Sequence, residues 1–511
     1  MPNGRTGNRL RKSLDDIHLD IQNNGLKRSL GPVHLVLLGI GCIVGAGIYV
    51  MTGTAAANYA GPAVLLSFVL AGLACGFTGL CYAELASTLP VSGSSYSYTY
   101  ASLGEVAAWS IGWLLMLEYG LAGSALAAGL SGYLASLLGD FGIVIPEALR
   151  TPWITSTMTD SGPVFVSGGG INLLAAGCVG AVALLLIRGV SESATVNAIM
   201  VVIKIAVLLL FVGVGIFYVD PANWEPFIPE SRGGFTYGEA GIFRGASVLF
   251  FAYLGFETIS TAALEARNPQ RDMPIGILGA LVVCTTLYLG VALVLTGLVP
   301  YQQLGVPDPI ALAVDRIGMP MFTLVIKLGA VLGLTSVLLV NTFGHTRICF
   351  AMAQDGLLPR LFCSVHTKWM TPHRGTVFVA VVTAIAASTL PIAILGDLVS
   401  LGTACAFSIV AISVMWLRTT EPDLERPFRV PLGGVFIGRV WIGVVPVLAL
   451  VFCLGMIGPV VIDIGLKAAR GQALPAIVLG VYAVAGVVLY WRYGMRYSRL
   501  RNLATPRGET A

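Results

Sequence analysis

Ionisable side chains stand deep inside apolar runs, among them Glu118 in Leu117-Glu118-Tyr119, Lys204 in Val201-Val202-Ile203-Lys204-Ile205-Ala206, and Glu257 after Phe256. A charge at the centre of a bilayer costs between ~2.5 and more than 10 kcal/mol, so each demands a reason. Lys204 lies about ten residues into its run and cannot easily reach either surface. It is either a structural ammonium held by carbonyls or a proton carrier. As a carrier, its charged and neutral forms favour different conformations, which couples a chemical potential to a conformational cycle. Glu118 and Glu257 are its natural companions, either in coupling or as buried neutral acids that donate a hydrogen bond. Lys327, seven residues into its own run, is close enough to an end to snorkel.

The main chain offers a second kind of chemistry. Glycines interrupt two runs, at Gly39-Ile40-Gly41-Cys42-Ile43-Val44-Gly45-Ala46-Gly47-Ile48-Tyr49 and at Phe250-Phe251-Ala252-Tyr253-Leu254-Gly255-Phe256-Glu257. A single such run is equally explained by close helix packing through a small-xxx-small pair such as Gly41 and Gly45. The pair is more telling. The segments fall in the first and sixth runs, and each is followed by a proline-led helix, at Gly61-Pro62 and Met273-Pro274. Five spans is an odd number, so a repeat of that length is inverted across the membrane, and paired interruptions in an inverted repeat point to a transporter's central site. Backbone groups freed by unwinding must line protein or a wet cavity. One half-helix presents N–H groups and a positive dipole end, the other carbonyls and a negative end. An α-amino acid zwitterion matches both.

The elements that must position these groups follow from composition. Of 511 residues, 56% are hydrophobic and 11% charged, and mean hydropathy is +0.84. Soluble domains carry about 25% charged residues, so a water-facing surface is excluded. A crossing takes ~20 apolar residues, and twelve runs qualify: 33–57, 62–88, 104–138, 170–188, 195–219, 240–263, 275–299, 320–344, 375–392, 394–417, 440–463 and 472–491. Uninterrupted runs of this length are helices, because barrel strands alternate over ~10 residues. If the spans alternate from a cytoplasmic N-terminus, 22 of the 30 Lys and Arg residues fall inside. Six fall outside, Arg244 and Lys467 among them, with Lys204 and Lys327 within spans. The positive-inside rule therefore expects both termini in the cytoplasm. The expected organisation is a cytoplasmic segment 1–31, one transporter domain 32–493 and a cytoplasmic tail 494–511. Residues 1–31 are polar and basic and the run after them is too long for a signal-peptide core, so the first span is expected to be retained.

Other chemistries find no support. The nine cysteines contain no C-x-x-C pair, and there is no H-E-x-x-H, G-x-S-x-G or P-loop motif. The five histidines fall at or beyond run ends. No metal, no cofactor, no nucleic acid and no enzymatic activity is expected.

The chain resembles the amino acid, polyamine and organocation (APC) transporter superfamily, and within it the bacterial members similar to cationic amino acid transporters. The resemblance spans about residues 26–495. It rests on Ile43 to Tyr49, Pro90-Val91-Ser92-Gly93-Ser94-Ser95-Tyr96, Gly112-Trp113 with Leu117-Glu118-Tyr119, and Phe256-Glu257 followed by Glu265, Asn268-Pro269, Arg271-Asp272 and Pro274. Further matches are Arg347, Met352, Asp355-Gly356 and Pro359, and Arg426-Pro427-Phe428-Arg429-Val430-Pro431. It implies an all-α membrane protein of twelve helices, five plus five inverted as in the sodium-coupled leucine transporter, with two more at the C-terminus and helices 1 and 6 unwound. It further implies that the substrate carboxylate meets the amides of Ala46 and Gly47, its ammonium the carbonyls of Ile43, Ala252 and Leu254, and that Phe251 closes over it beside Gly255. Lys204 matches a fifth-helix lysine whose ammonium replaces sodium near Gly45 and Thr335 or Ser336. Glu118 and Tyr288 match positions associated with proton coupling. Position 46 is alanine where many relatives carry a hydroxyl. The function expected is proton-coupled amino acid symport by alternating access in the plasma membrane, as the inner membrane of a bacterium; the alternatives are an exchanger, a sensor or a channel.

Overall fold

The computed structural model describes residues 29–89, 94–159, 162–189, 194–263 and 265–504. Residues 1–28 of the expected N-terminal segment, Pro90 to Gly93 of the second-span motif and the tail from 505 onward lie outside the described residues.

Among the described residues, nine helices are long and apolar enough to cross a membrane. The remaining three of the twelve expected runs form shorter helices, Pro32–Ile43, Leu173–Ile187 and His373–Thr389. Proline starts many of the helices: Pro32, Pro269, Pro309, Pro320 and Pro475 all sit in a first turn, where the missing N–H costs nothing. Asn172 starts another by accepting the Ala175 N–H at 2.9 Å. The chain reverses between the first and second spans at Gly61, whose φ of 60° suits glycine.

The all-α expectation needs two additions. Antiparallel hairpins join Ile154–Thr159 to Gly162–Ser167 and Gly434–Ile437 to Val440–Gly443. The second takes the beginning of the expected 440–463 run, so the eleventh span is the helix Val444–Ala469. Its strands are β-branched and aromatic and close over Gly438 at φ 63°, a hairpin composition that hydropathy alone reads as membrane.

Packing follows a reciprocal pattern. Pro32–Ile43 of the first span packs on the seventh, Pro269–Leu298, and Gly238–Leu249 of the sixth packs on the second, Val64–Thr88. The third span, Glu105–Asp140, meets the tenth, Ile392–Thr420, as the eighth, Pro320–Gln354, meets the fifth, Ala194–Gly215. The third also meets the ninth, His373–Thr389, as the eighth meets the fourth, Leu173–Ile187. Each contact recurs when every span number is shifted by five. A short helix follows both the second and seventh spans, Ser94–Ser102 and Pro309–Ile317.

A buried charge cluster ties three spans together. Arg244, fully enclosed, places Nη2 2.7 Å from Asp397 Oδ2 and 3.0 Å from Asp463 Oδ2, and its guanidinium lies 4.6 Å from the centre of the Tyr59 ring. Lys467 Nζ approaches Asp463 Oδ2 at 2.8 Å. Counting Arg244 and Lys467 with the outside loops is therefore corrected: both sit inside helices, in Gly238–Leu249 and Val444–Ala469. Lys327 is likewise buried, and its ammonium is held by Asp140 and Asp315 at 2.8 Å each. Local carboxylates make snorkelling unnecessary.

Removing one partner of a buried ion pair leaves the other charge uncompensated, at a cost of about 3–5 kcal/mol. Arg244→Met is expected to lower the thermal midpoint of the purified protein by several degrees more than Arg316→Met, at an exposed position. Equal midpoints for the two variants would contradict this.

Candidate functional site

The first span breaks in mid-course. Its helix ends at Ile43, Val44 turns extended at φ −74°, ψ 91°, and the chain resumes as a widened π turn over Gly47–Met51. Such turns recur at functional sites. The first backbone bond of the outer half runs from Tyr49 N–H to Gly45 O at 3.2 Å. The amides ahead of it are the orphan donors that every helix start carries.

The sixth span breaks in the same manner. Its α-helix tightens into a 3₁₀ turn over Phe250–Tyr253, Leu254 is extended, and Gly255 takes the left-handed conformation at φ 113° before helical turns resume at Phe256. The two interruptions lie against each other. A methyl group at Gly47 would fall 2.2 Å from Ala252 Cα, and one at Gly255 would fall 2.8 Å from the Cys42 carbonyl carbon. Both glycines are needed for that approach, and Gly255 also for its φ.

Side chains secure the loosened carbonyls. The Tyr288 hydroxyl is 2.8 Å from Ile43 O and 3.0 Å from Ala252 O, a donor shared across both breaks. Lys204 Nζ donates to Gly41 O at 3.0 Å. The Gly255 N–H donates to Glu257 Oε2 at 2.9 Å, and the Tyr119 hydroxyl reaches Glu257 Oε1 at 3.4 Å.

A hollow of about 50 Å³ opens where the breaks meet. Of the residues expected to contact substrate, Ile43, Gly45, Ala46, Gly47, Phe251, Leu254 and Gly255 line it, as does Glu257. Ala252 is not on its wall; that residue packs under Gly47. The rest of the wall was missed by sequence reasoning. Ala122, Leu126, Val337 and Val340 give it an apolar side, and Tyr119, Thr258 and Asn341 a polar one. Asn341 Nδ2 donates to Tyr119 O at 2.8 Å, joining the eighth span to the third.

The remaining coupling candidates stand behind the wall. Glu118 is fully buried and faces the tenth span, with Cβ 3.9 Å from the position a methyl on Gly402 would take. Its carboxyl oxygens have no hydrogen-bond partner among the described residues, the nearby Thr403 hydroxyl being turned to Val399 O. Lys204 packs its stem towards Gly333 of the eighth span. One turn on, Thr335 donates to Val331 O at 2.7 Å, whereas the buried Ser336 hydroxyl has no partner among the described residues. His345, placed by its sequence at a span end, is buried within the eighth span because that helix continues to Gln354. Its ring lies 6.5 Å from Tyr119.

Gly255→Ala forces a side chain into the left-handed region, which costs about 1–3 kcal/mol, and against the Cys42 main chain. It is expected to abolish ligand binding, while Gly76→Ala, in open space on the second span, leaves binding intact. Ligand-induced thermal stabilisation checks both; wild-type stabilisation in Gly255→Ala would contradict the arrangement.

Residues 30–481 match the family model described as amino acid permease. The chain is 42% identical over 494 residues to the branched-chain amino acid permease BcaP of Bacillus subtilis (strain 168), covering 96% of this chain and 98% of that one. It is 40% identical over 493 residues, with the same coverage, to the methylthioribose transporter of that organism. With the vacuolar cationic amino acid transporter 4 of Arabidopsis thaliana it shares 38% over 416 residues, 81% of this chain and 67% of the plant protein. Broken membrane helices around a small cavity and likeness along nearly the whole length agree: the chain belongs to the amino acid permease family of the APC superfamily.

Proposed function

We propose that this protein is a secondary active transporter that moves amino acids with protons by alternating access. The observation that carries the reading is the meeting of two interrupted main chains, Gly47 against Ala252 and Gly255 against Cys42, around one hollow. A substrate carboxylate placed at the Ala46 and Gly47 amides meets the start of the outer half of the first span. The ammonium then faces the carbonyls of Ile43 and Leu254, which line the hollow where Ala252 does not. Binding by main chain leaves no ionised side chain to desolvate.

The apolar side formed by Ala122, Leu126, Val337 and Val340 favours an uncharged, aliphatic substrate side chain. Glu257, the one carboxylate on the wall among the described residues, is already engaged by Gly255 and Tyr119, which disfavours a cationic one. A relative of comparable identity is a methylthioribose transporter, but a neutral sugar has neither charge that the paired half-helix ends would complement.

In the same reading there are twelve spans, arranged as five plus five inverted and two peripheral; the reciprocal packing supports it, as do the short helices after the second and seventh spans. The domain runs from 32 to 493 in the plasma membrane, with both termini cytoplasmic. Lys204 carries the coupling proton: protonated, it holds Gly41 O and favours one facing state, and deprotonated it releases the first span to the other. Tyr288, Thr335 and Ser336 stand around the same breaks, and Glu118, facing the tenth span, is the second group given a part in proton coupling.

Proteoliposomes test this directly. An inwardly directed proton gradient is expected to drive leucine accumulation into vesicles empty of amino acid, unaffected by exchanging sodium for choline. Lys204→Met is expected to remove the dependence on the gradient. Uptake only into vesicles preloaded with amino acid would identify an exchanger, and unchanged gradient-driven uptake in Lys204→Met would refute the role given to the lysine.

A further inference from the structure

Tyr49 stands in the widened turn that opens the outer half of the first span. It is completely enclosed, and its hydroxyl has no hydrogen-bond partner among the described residues. A buried phenol usually finds one, and leaving it unsatisfied is costly. Ring and main chain are nevertheless held in place. The ring packs edge-on against Tyr133 with centres 5.9 Å apart, and the Tyr133 hydroxyl donates to Tyr49 O at 2.7 Å while accepting the Ile310 N–H at 3.3 Å.

The unused hydroxyl lies beside the fifth-span lysine. A methyl on Gly333 of the eighth span would stand 3.4 Å from Lys204 Cγ and 3.6 Å from Tyr49 Oη. Lys204 therefore reaches across the first-span break: its ammonium is on Gly41 O of the inner half at 3.0 Å, and its stem is next to the hydroxyl of the outer half. An ammonium offers donors only and is best served by a carbonyl, whereas a neutral amine carries a lone pair and is served by an O–H. The flexible four-carbon stem lets the nitrogen swing from one to the other.

We propose that Tyr49 is a second seat for Lys204, its hydroxyl donating to the neutral amine once Gly41 O has been released, so that the outer half of the first span stabilises the deprotonated state. This rests on the proton-carrying role proposed for Lys204 above. The departing proton goes to water, and Tyr49 keeps its own, sharing it in the hydrogen bond.

Other titratable groups meet the fifth span here. The seventh presents Cys284 to the lysine, with Cys42 of the first beside that thiol, and its Tyr288 is turned to Ile43 O and Ala252 O. The eighth carries Lys327, held by Asp140 and by Asp315 of Pro309–Ile317, on which Arg316 bonds to Gln303. The substitutions below alter none of them.

The test is the external-pH profile of gradient-driven leucine uptake into proteoliposomes, for the wild type, Tyr49→Phe and Gly333→Ala, each also combined with Lys204→Met. Tyr49→Phe removes only the hydroxyl. Gly333→Ala sets a methyl between hydroxyl and stem at ordinary contact distances, and leucine-induced thermal stabilisation checks that each variant is folded and binds. Without the donor the ammonium persists to higher pH, and proton-loaded uptake with it. The expected result is a half-maximal pH moved upward by roughly 0.5–1 unit in both variants, and no effect of either substitution in the Lys204→Met background. A wild-type profile in either folded variant, while Lys204→Met abolishes gradient dependence, would overturn the second seat and leave the carrier standing. A shift that persists in the Lys204→Met background would overturn it as well, because Tyr49 would then act through another group. Unchanged gradient-driven uptake in Lys204→Met alone would overturn both seat and carrier.

Discussion

A main-chain amide or carbonyl without a partner cannot be left in hydrocarbon, where each costs several kcal/mol. The centre of this protein is arranged around that constraint. Two helices are interrupted at the same depth, and their loosened groups are brought face to face by glycines that admit no side chain between the backbones. Polar main chain becomes the wall of a small cavity rather than a defect exposed to lipid.

Holding such a wall open takes support from elsewhere in the sequence. Tyr288 on the seventh span bridges a carbonyl of each broken helix, Lys204 on the fifth holds the inner half of the first, and Glu257 folds back onto the amide of Gly255. Ahead of the sixth-span break, Arg244 anchors the same span to the tenth and eleventh through Asp397 and Asp463. The supports come from the fifth, sixth and seventh spans and reach the tenth and eleventh, so relative movement of the spans must alter the polar environment of the breaks. A charged group that gains or loses a proton at one of these supports can therefore bias the conformation without touching the substrate.

Much of this was legible in the residues, and the exceptions have physical reasons. Gly45-Ala46-Gly47 and Gly255 stand out because few other residues tolerate such close approach or a positive φ, and Lys204 because an ammonium amid aliphatic residues has no ordinary explanation. Tyr119 and Asn341 gave no such signal. Whether Glu118 or Tyr119 faces the cavity depends on a rotation of about 100° per residue, which a helix hydrophobic all round does not reveal. Arg244 reads as an outside charge because it falls at the very start of its apolar run, 240–263, and its carboxylate partners lie far along the chain. His345 was assigned to a span end because polar residues stop the hydropathy signal before the helix stops, and Val440 to Gly443 to a span because strand-forming residues are also apolar.

The central claim is that main-chain groups at the two breaks grip a zwitterion. An experimentally determined structure with L-leucine bound tests it most directly. The account predicts ligand density between the first and sixth spans, with the carboxylate within hydrogen-bond distance of the Ala46 and Gly47 amides and the ammonium facing the carbonyls of Ile43 and Leu254. Continuous helices through Gly45 and Gly255, or a ligand held in the central cavity by ionised side chains instead, would contradict it.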